Sequence, residues 1–209
     1  MKVVCVIADI VESRAIENRR VFQRGLERML QKLNTGCEHL LSPYTVTLGD
    51  EFQAVYKSAD CLFRDFSYIQ QALYPRRARF SVGIGDLVTP INPRRAIGMD
   101  GPAFHQARDG INEIKGTSLR FHVGFQNPDQ ATWINPVLDL ISHLETNWTR
   151  NRFHILHRLL IGRDAKTIAK ELKLTPAAVY KNIHAGALNT VVRLHTEVCG
   201  AINAGVKEK

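Results

Sequence analysis

Residues 3–8 form the stretch Val3-Val4-Cys5-Val6-Ile7-Ala8, which is apolar, rich in β-branched side chains and followed directly by Asp9. Because both alternating faces of this stretch are apolar, it predicts a strand buried on both sides in the centre of a sheet. The run is shorter than the roughly 7–15 apolar residues of a signal peptide and the roughly 20 of a membrane helix. We therefore expect a cytoplasmic protein without a membrane segment.

The composition is that of an ordinary globular protein. The chain has 209 residues, of which 44% are hydrophobic and 23% charged, and this length corresponds to one or two domains. Its cysteines are Cys5, Cys37, Cys61 and Cys199. None of them lies in a Cys-x-x-Cys pair, so the sequence favours free thiols in a reducing compartment over a zinc ribbon or a disulfide scaffold.

Outward from the first strand, the hydrophobic pattern alternates between helix and strand. We predict helices at Arg14–Leu33, Ala59–Leu73 and Ala103–Ile114, and strands at Tyr44–Leu48, Phe52–Tyr56, Arg79–Ile84 and Leu119–Phe125. The short link Gly49-Asp50-Glu51 predicts a hairpin between the second and third strands. The order βαββαβ with a later addition is that of an α+β, ferredoxin-like split βαβ fold.

Beyond Phe125 the pattern is helical throughout. Helices are predicted at Val137–Glu145, Asn151–Leu160 and Ala165–Leu172 and from Pro176 onward, and Asn127-Pro128-Asp129 and Asn135-Pro136 mark a linker over 127–136. We therefore predict two domains, one over 1–127 with the sheet and one over 137–209 with helices only.

Two carboxylates fall at matching places in this scheme. Asp9 ends the first strand and Asp50 lies in the hairpin turn, so a split βαβ sheet brings them to the same edge. Converging carboxylates repel each other and attract a divalent cation, and Mg²⁺ prefers one or two carboxylates plus phosphate oxygens. Such a pair holds the metal ions of phosphoryl- and nucleotidyl-transfer sites. The alternative is that both are solubilising residues at strand ends.

Four motifs resemble those of the class III nucleotide cyclases and occur in the same order. They are Ala8-Asp9-Ile10-Val11-Glu12-Ser13, Leu48-Gly49-Asp50-Glu51-Phe52, Phe80-Ser81-Val82-Gly83-Ile84-Gly85 and Gly101-Pro102-Ala103-Phe104-His105-Gln106-Ala107. The second motif is also similar to the GGDEF signature of diguanylate cyclases. Taken with the C-terminal part, the chain resembles the bacterial SatD-type proteins, in which such a palm domain looks to be joined to a helix-turn-helix.

The resemblance implies a metal and nucleotide site. Asp9 and Asp50 would bind Mg²⁺ or Mn²⁺, Ile10 would add its backbone carbonyl, and Glu51 would add a ligand by analogy with the GGDEF domains. His105 and Arg108 are the candidates for nucleotide binding. His105 stands where cyclases carry an asparagine that contacts the transition state.

One position departs from the cyclases in its charge. Asp109 stands where they carry an arginine that stabilises the developing phosphate charge, and Arg108 is its neighbour. A carboxylate there reverses the field that phosphoryl transfer needs. The resemblance therefore favours a nucleotide-binding or purely structural domain over an active cyclase.

Positive charge is concentrated in the C-terminal helices. The net charge of the chain is +8, and residues 150–195 hold nine lysines and arginines against Asp164 and Glu171. A basic block on helices favours a polyanionic partner, although lysines on a solvated face are the plainer alternative.

The same region resembles the helix-turn-helix of transcription regulators. Asp164 and Thr175 are suited to cap two short helices, Pro176 starts the second of them, and Ile168, Leu172, Val179 and Ile183 face inward. The predicted contacts with double-stranded DNA are Lys166, Lys170, Lys173, Thr175, Ala177, Ala178, Tyr180, Lys181 and His184. A plain αα-hairpin is the structural alternative.

The last helix is predicted to run on beyond Ala185. Leu188, Val191, Val198 and Ile202 continue a spacing of three and four residues, which His195 interrupts. This stripe is either the seam of a homodimer or a surface that packs on the first domain. A homodimer would suit two DNA half-sites, and we expect one.

Three functions compete. The leading hypothesis is a DNA-binding regulatory protein, a transcriptional regulator, whose cyclase-like domain binds a nucleotide or a metal ion. The second is a Mg²⁺-dependent nucleotidyl-transfer enzyme, a cyclase or a polymerase-like protein. The third is an interaction module with an inactive palm domain.

Overall fold

A computed structural model describes residues 1–127, 129 and 132–207. Pro128, part of the predicted linker, lies outside the described residues. The strands are β1 (Lys2–Ile10), β2 (Leu40–Leu48), β3 (Glu51–Tyr56), β4 (Ala78–Asp86) and β5 (Phe121–Phe125). The helices are α1 (Arg19–Asn34), α2 (Leu62–Leu73), α3 (Pro102–Ile114), α4 (Ile134–Thr146), α5 (Arg150–Leu160), α6 (Ala165–Leu172), α7 (Pro176–Ala185) and α8 (Leu188–Lys207).

The strands form one mixed sheet in the order β2-β3-β1-β4-β5. β1 pairs antiparallel with β3 and β4, and β5 pairs parallel with β4. Val4, Val6 and Ala8 of β1 belong to the core under α1 and α2, whereas Cys5 and Ile7 belong to the core under α3. The prediction of a mixed α and β protein around a central strand buried on both faces is therefore confirmed.

The starts of α1 and β2 lie furthest from their predicted positions. The first helix begins at Arg19 and not at Arg14, because the side chain of Asn18 accepts a hydrogen bond from the backbone N–H of Val21 and caps the helix there. Val21 itself is 62% exposed and contributes nothing to the core. Strand β2 begins at Leu40, so Pro43 lies inside a strand, which is tolerated because β2 is at the edge of the sheet.

The C-terminal helices share a core with the sheet. Buried residues of α4, α5, α7 and α8 belong to the same hydrophobic cluster as those of β1 and α2. The division into domains over 1–127 and 137–209 stays a prediction. Among the helices of the described residues, none is long and apolar enough to cross a membrane.

Helix α8 is a separate helix that packs against the sheet side of the molecule. The prediction that the helix continues past Ala185 is wrong, since α7 ends there and Ala187 adopts a left-handed φ of 51° before α8 begins. The stripe of α8 that offered a dimer seam is fully buried within the single chain, at Leu188, Val191, Val198 and Ile202. Of the two alternatives for this stripe, the structure shows packing within the chain. The homodimer stays a prediction, and this stripe is not available as its interface.

Candidate functional site

A row of charged residues crosses three neighbouring strands. In the register of the sheet, Asp9 of β1 lies opposite Glu51 of β3 and opposite Arg79 of β4. Residues directly opposite each other on neighbouring strands project from the same face of a sheet. The Nε of Arg79 donates a hydrogen bond to Oδ1 of Asp9 over 2.8 Å, and both side chains are buried. Asp9 therefore has its counter-ion inside the protein.

Glu51 is also paired with an arginine. Nη1 and Nη2 of Arg108, from α3, donate hydrogen bonds to Oε2 and Oε1 of Glu51 over 2.5 Å and 2.7 Å. The hydroxyl of Thr47 donates a further bond to Oε1. The bonds from Arg108 hold the pKa of Glu51 below its usual range. Glu51 is therefore ionised at neutral pH, and a cation that took it as a ligand would compete with Arg108.

Asp50 is held by the hairpin turn. Gly49 has a φ of 62°, a left-handed conformation that favours glycine. The hydroxyl of Ser13 donates a hydrogen bond to the carboxylate of Asp50. Ser13 lies in the short 3₁₀ helix Ser13–Ala15 that follows β1. The contact ties the hairpin turn to the end of β1.

All four predicted metal-binding residues border one cleft of about 710 Å³. The lining residues are Asp9, Ile10, Glu12, Ser13, Arg14, Arg19, Leu48, Gly49, Asp50, Glu51, Arg79 and Lys115. No group of three or more His, Cys, Asp or Glu residues that could hold a metal ion was found in the described parts of the chain. The carboxylates share the cleft with as many cationic side chains, so its lining carries both signs of charge in equal number.

Sequence reasoning did not place Arg79 or Lys115 in this cleft. Arg19 enters from the first turn of α1, Lys115 from the end of α3, and Arg79 from β4. These residues come from three distant segments and meet only because the strands pair as they do. Alternation along β4 predicts the face of the sheet on which Arg79 lies, but only the strand register puts it opposite Asp9.

The two predicted nucleotide-binding residues lie on α3 and outside the cleft lining. Nε2 of the exposed His105 lies 2.9 Å from Oδ1 of Asp100. Arg108 is engaged by Glu51. The structure thus links Arg108 to the cleft through a carboxylate and leaves His105 facing solvent beside Asp100.

Helices α6 and α7 have the predicted caps. Oδ1 of Asp164 accepts hydrogen bonds from the backbone N–H groups of Lys166 and Thr167 over 2.8 Å and 3.0 Å. The hydroxyl of Thr175 accepts one from the N–H of Ala178 over 3.1 Å. Between the helices, Lys173 takes a left-handed φ of 55°. Both helices therefore begin where the sequence predicts.

The predicted contact residues of α6 and α7 are on the surface. Val179 is fully buried on the inner side of α7, which packs against α5, α6 and α8. Ala178 is half-buried, and the hydroxyl of Thr175 is occupied by its capping bond. The exposed members are Lys166, Lys170, Lys173, Thr175, Ala177, Tyr180, Lys181 and His184.

Charge on this helical surface is largely unbalanced. Glu171 of α6 pairs with Arg158 over 2.9 Å and with Arg163 over 3.5 Å. Within the described residues, no carboxylate forms an ion pair with Lys166, Lys170, Lys173 or Lys181, all of which are exposed. Their charges are available to an anionic partner. We call the exposed face formed by residues 166, 170, 173, 177, 180, 181 and 184 the α6–α7 surface.

Comparison with models of protein families identifies the family of the chain. The model of a family described as the SatD family matches residues 3–201. No curated protein matches the chain. The match covers both the cleft and the α6–α7 surface, so both belong to the region that defines the family.

Proposed function

The chain belongs to the SatD family, and we propose that it is a DNA-binding regulatory protein whose α6–α7 surface binds duplex DNA. The observation that carries the proposal is the set of exposed lysines, around two capped and packed helices, that form no ion pair in the described part of the chain. An ordinary αα-hairpin needs caps and packing, but neither of these explains a set of exposed lysines on its outer face.

The outer face of α7 has the spacing of a recognition helix. Ala177, Tyr180, Lys181 and His184 follow one another at intervals of three, one and three residues, so they lie along one stripe of the helix. Val179 holds the opposite side against the bundle. A helix presented in this way fits the major groove, where small side chains allow close approach and Lys181 and His184 reach base edges or phosphates.

The lysines of α6 and of the turn would contact the DNA backbone. Lys166 and Lys170 are four residues apart and lie on the same side of α6, and Lys173 follows at its end. Contacts between lysine and phosphate release counter-ions from DNA, so they position the protein and make its affinity depend steeply on salt. A homodimer would then bring two α7 helices to two half-sites.

The direct test is fluorescence anisotropy of a labelled mixed-sequence duplex, titrated with the full chain at several salt concentrations. We expect affinity to fall linearly on a double-logarithmic plot. Lys181→Ala should weaken binding several-fold and reduce the salt slope by about one. Lys57→Ala, an exposed lysine before α2, is the matched control and should bind like the unaltered chain. Binding that is absent or independent of salt would refute the proposal.

We propose that the sheet is a ferredoxin-like palm domain and that its cleft takes a nucleotide with Mg²⁺ or Mn²⁺. The support is the order β2-β3-β1-β4 with antiparallel neighbours, which is the order of a split βαβ sheet. Asp9 and Asp50 also line one cleft with Arg14, Arg19 and Lys115. Carboxylates would hold the cation, and the basic side chains would hold phosphate oxygens.

The second candidate function is metal-dependent nucleotidyl transfer in this cleft, which the shared position of Asp9 and Asp50 favours. Incubation with each of the four nucleoside triphosphates and Mn²⁺, followed by chromatography, distinguishes it from binding alone. Turnover that Asp50→Ala abolishes would support an enzyme. Binding by calorimetry without turnover would support a sensor domain. The absence of both binding and turnover would refute both proposals for the cleft.

A further inference from the structure

Three of the four cysteines lie around the start of α2. Cys61 is the residue that precedes the helix. Cys199 of α8 donates a hydrogen bond from Sγ to the carbonyl of Ala59 over 3.2 Å. Cys37 lies in the connection between α1 and β2. All four thiols of the chain are free.

Hydrogen bonds hold the connection that contains Cys37 against the segment that contains Cys61. The carbonyl of His39 accepts a bond from the backbone N–H of Lys57 over 2.9 Å. Nη2 of Arg64, in the first turn of α2, donates to the carbonyl of Gly36 over 3.1 Å. These bonds lie on either side of the two cysteines and hold together the two segments that carry them, and both cysteines pack in the same hydrophobic core.

The surroundings of the two thiols differ. Cys37 is half-buried, whereas Cys61 is 6% exposed. Burial and the neighbouring thiol raise the pKa of Cys61 to about 12. The guanidinium of Arg64, in the first turn of α2, acts against this burial and lowers the pKa of Cys61. Cys37 is therefore the thiol that a dissolved oxidant can reach, and Cys61 is the neighbour placed to react with the product.

We propose that Cys37 and Cys61 are a redox-active pair that forms a reversible intramolecular disulfide when the protein meets a peroxide. The thiolate of Cys37 attacks one peroxide oxygen and becomes a sulfenic acid, with water formed from the other oxygen. The sulfur of Cys61 then attacks the sulfenic sulfur, so that the S–S bond forms and a second water leaves. Two electrons pass from the two thiols to one hydrogen peroxide, and an added dithiol reverses the change.

The remaining cysteines act as internal references. Cys5 is fully buried in β1, in the core under α3. Cys199 approaches the same loop from α8, and its thiol bonds to a backbone carbonyl and not to another thiol. A bond specific to Cys37 and Cys61 is therefore distinguishable from general oxidation of the chain.

The test is peptide mass spectrometry of the full chain after brief treatment with hydrogen peroxide and alkylation of the remaining free thiols. We expect a peptide pair that joins Cys37 to Cys61, lighter by two hydrogens and separated by dithiothreitol. Cys37→Ser should abolish the cross-link, and Cys5→Ser should leave it unchanged. The oxidised chain should also have a higher Tm than the reduced chain, because the bond closes a loop in the unfolded state.

Other products would overturn the proposal. These are a cross-link from Cys61 to Cys199, a disulfide between two chains through Cys37, or sulfinic acid at Cys37 with Cys61 still open to alkylation. The unaltered protein alone shows which cysteines become cross-linked, so the conclusion does not depend on whether the variants fold. A circular dichroism spectrum of each variant shows whether its missing cross-link has a chemical cause.

Discussion

The cleft beside the sheet and the α6–α7 surface both carry charged side chains, but the charges are paired in the cleft and unpaired on the surface. In the cleft, Asp9 is paired with Arg79 and Glu51 with Arg108. On the α6–α7 surface, lysines such as Lys170 and Lys181 are exposed and have no carboxylate partner within the described residues. The cleft is internally balanced, and the helical surface is left to be balanced by something else.

This difference separates two uses of charge. A paired and buried charge contributes to specific structure, and it gives way to a ligand only if the ligand replaces its partner. An exposed lysine without a partner costs little to keep and attracts any polyanion within roughly a Debye length. We therefore expect changes in the cleft to act mainly on folding and changes on the α6–α7 surface to act mainly on binding.

The largest predicted effect is at the buried pair of the cleft. Asp9→Ala leaves Arg79 buried without its counter-ion, and breaking such a pair costs about 3–5 kcal/mol of the free energy of unfolding. Urea denaturation at pH 7 measures this loss. Glu38→Ala removes an exposed carboxylate near His39 and should change the stability by less than about 1 kcal/mol.

A second variant decides whether the loss at Asp9 comes from the unpaired charge. Combining Asp9→Ala with Arg79→Met removes both charges, and most of the lost stability should return. If Asp9→Ala alone costs less than about 1 kcal/mol, Asp9 does not stabilise the fold by neutralising Arg79. The proposed difference between the paired charges of the cleft and the unpaired charges of the α6–α7 surface would then fail.

The sequence predicts the elements of both regions better than it predicts their contacts. The run from Val3 to Ala8 predicts β1, and the capping residues Asp164 and Thr175 predict α6 and α7, because these signals are local. The pairing of Asp9 with Arg79 depends on the register of two strands distant in the chain. The sequence reasoning placed Asp9 and Asp50 in one cleft, but it assigned Arg108 to a nucleotide and not to Glu51, and it had no local signal for the pairing of Arg79 with Asp9.

The position of α8 was beyond prediction for a related reason. Its apolar spacing is compatible with any apolar surface, on this chain or on a second copy. The structure places it on the core that includes β1 and α2, where the ring of His195 stacks on Phe63 with centroids 4.0 Å apart. A histidine within an apolar stripe looks like an interruption in the sequence, although here it is buried like its neighbours.

The next effect in size concerns His195, where the helical part meets the sheet part. Neither ring nitrogen has a hydrogen-bond partner within the described residues, and burial lowers the pKa of His195 to about 3. A histidine whose pKa is lowered by folding stabilises the protein above its unfolded pKa of about 6.5. That stability is lost as the pH falls, by about 2 kcal/mol between pH 7 and pH 5.

The matched comparison is His195→Leu, which keeps a similar volume and removes the titrating ring. Urea denaturation at pH 7 and pH 5 should show a smaller loss on acidification in this variant, by about 2 kcal/mol. The unaltered chain must be compared with the variant because burial also raises the pKa of Glu145 to about 7. Protonation of Glu145 increases the stability of both proteins as the pH falls, which opposes the effect of His195. Equal losses in both proteins would mean that α8 is not docked on the sheet core at that pH.

The smallest predicted effect completes the contrast. Lys181 is exposed near the middle of α7 and has no ion-pair partner within the described residues. Lys181→Ala replaces one good helix former by another, so the free energy of unfolding should change by less than about 0.5 kcal/mol. A weaker affinity for duplex DNA in the same protein would then come from the lost charge and not from a damaged helix. If Lys181→Ala instead lowered the stability by more than about 1 kcal/mol, this lysine would belong with the paired charges of the cleft, and the division between charges used for folding and charges used for binding would fail at α7.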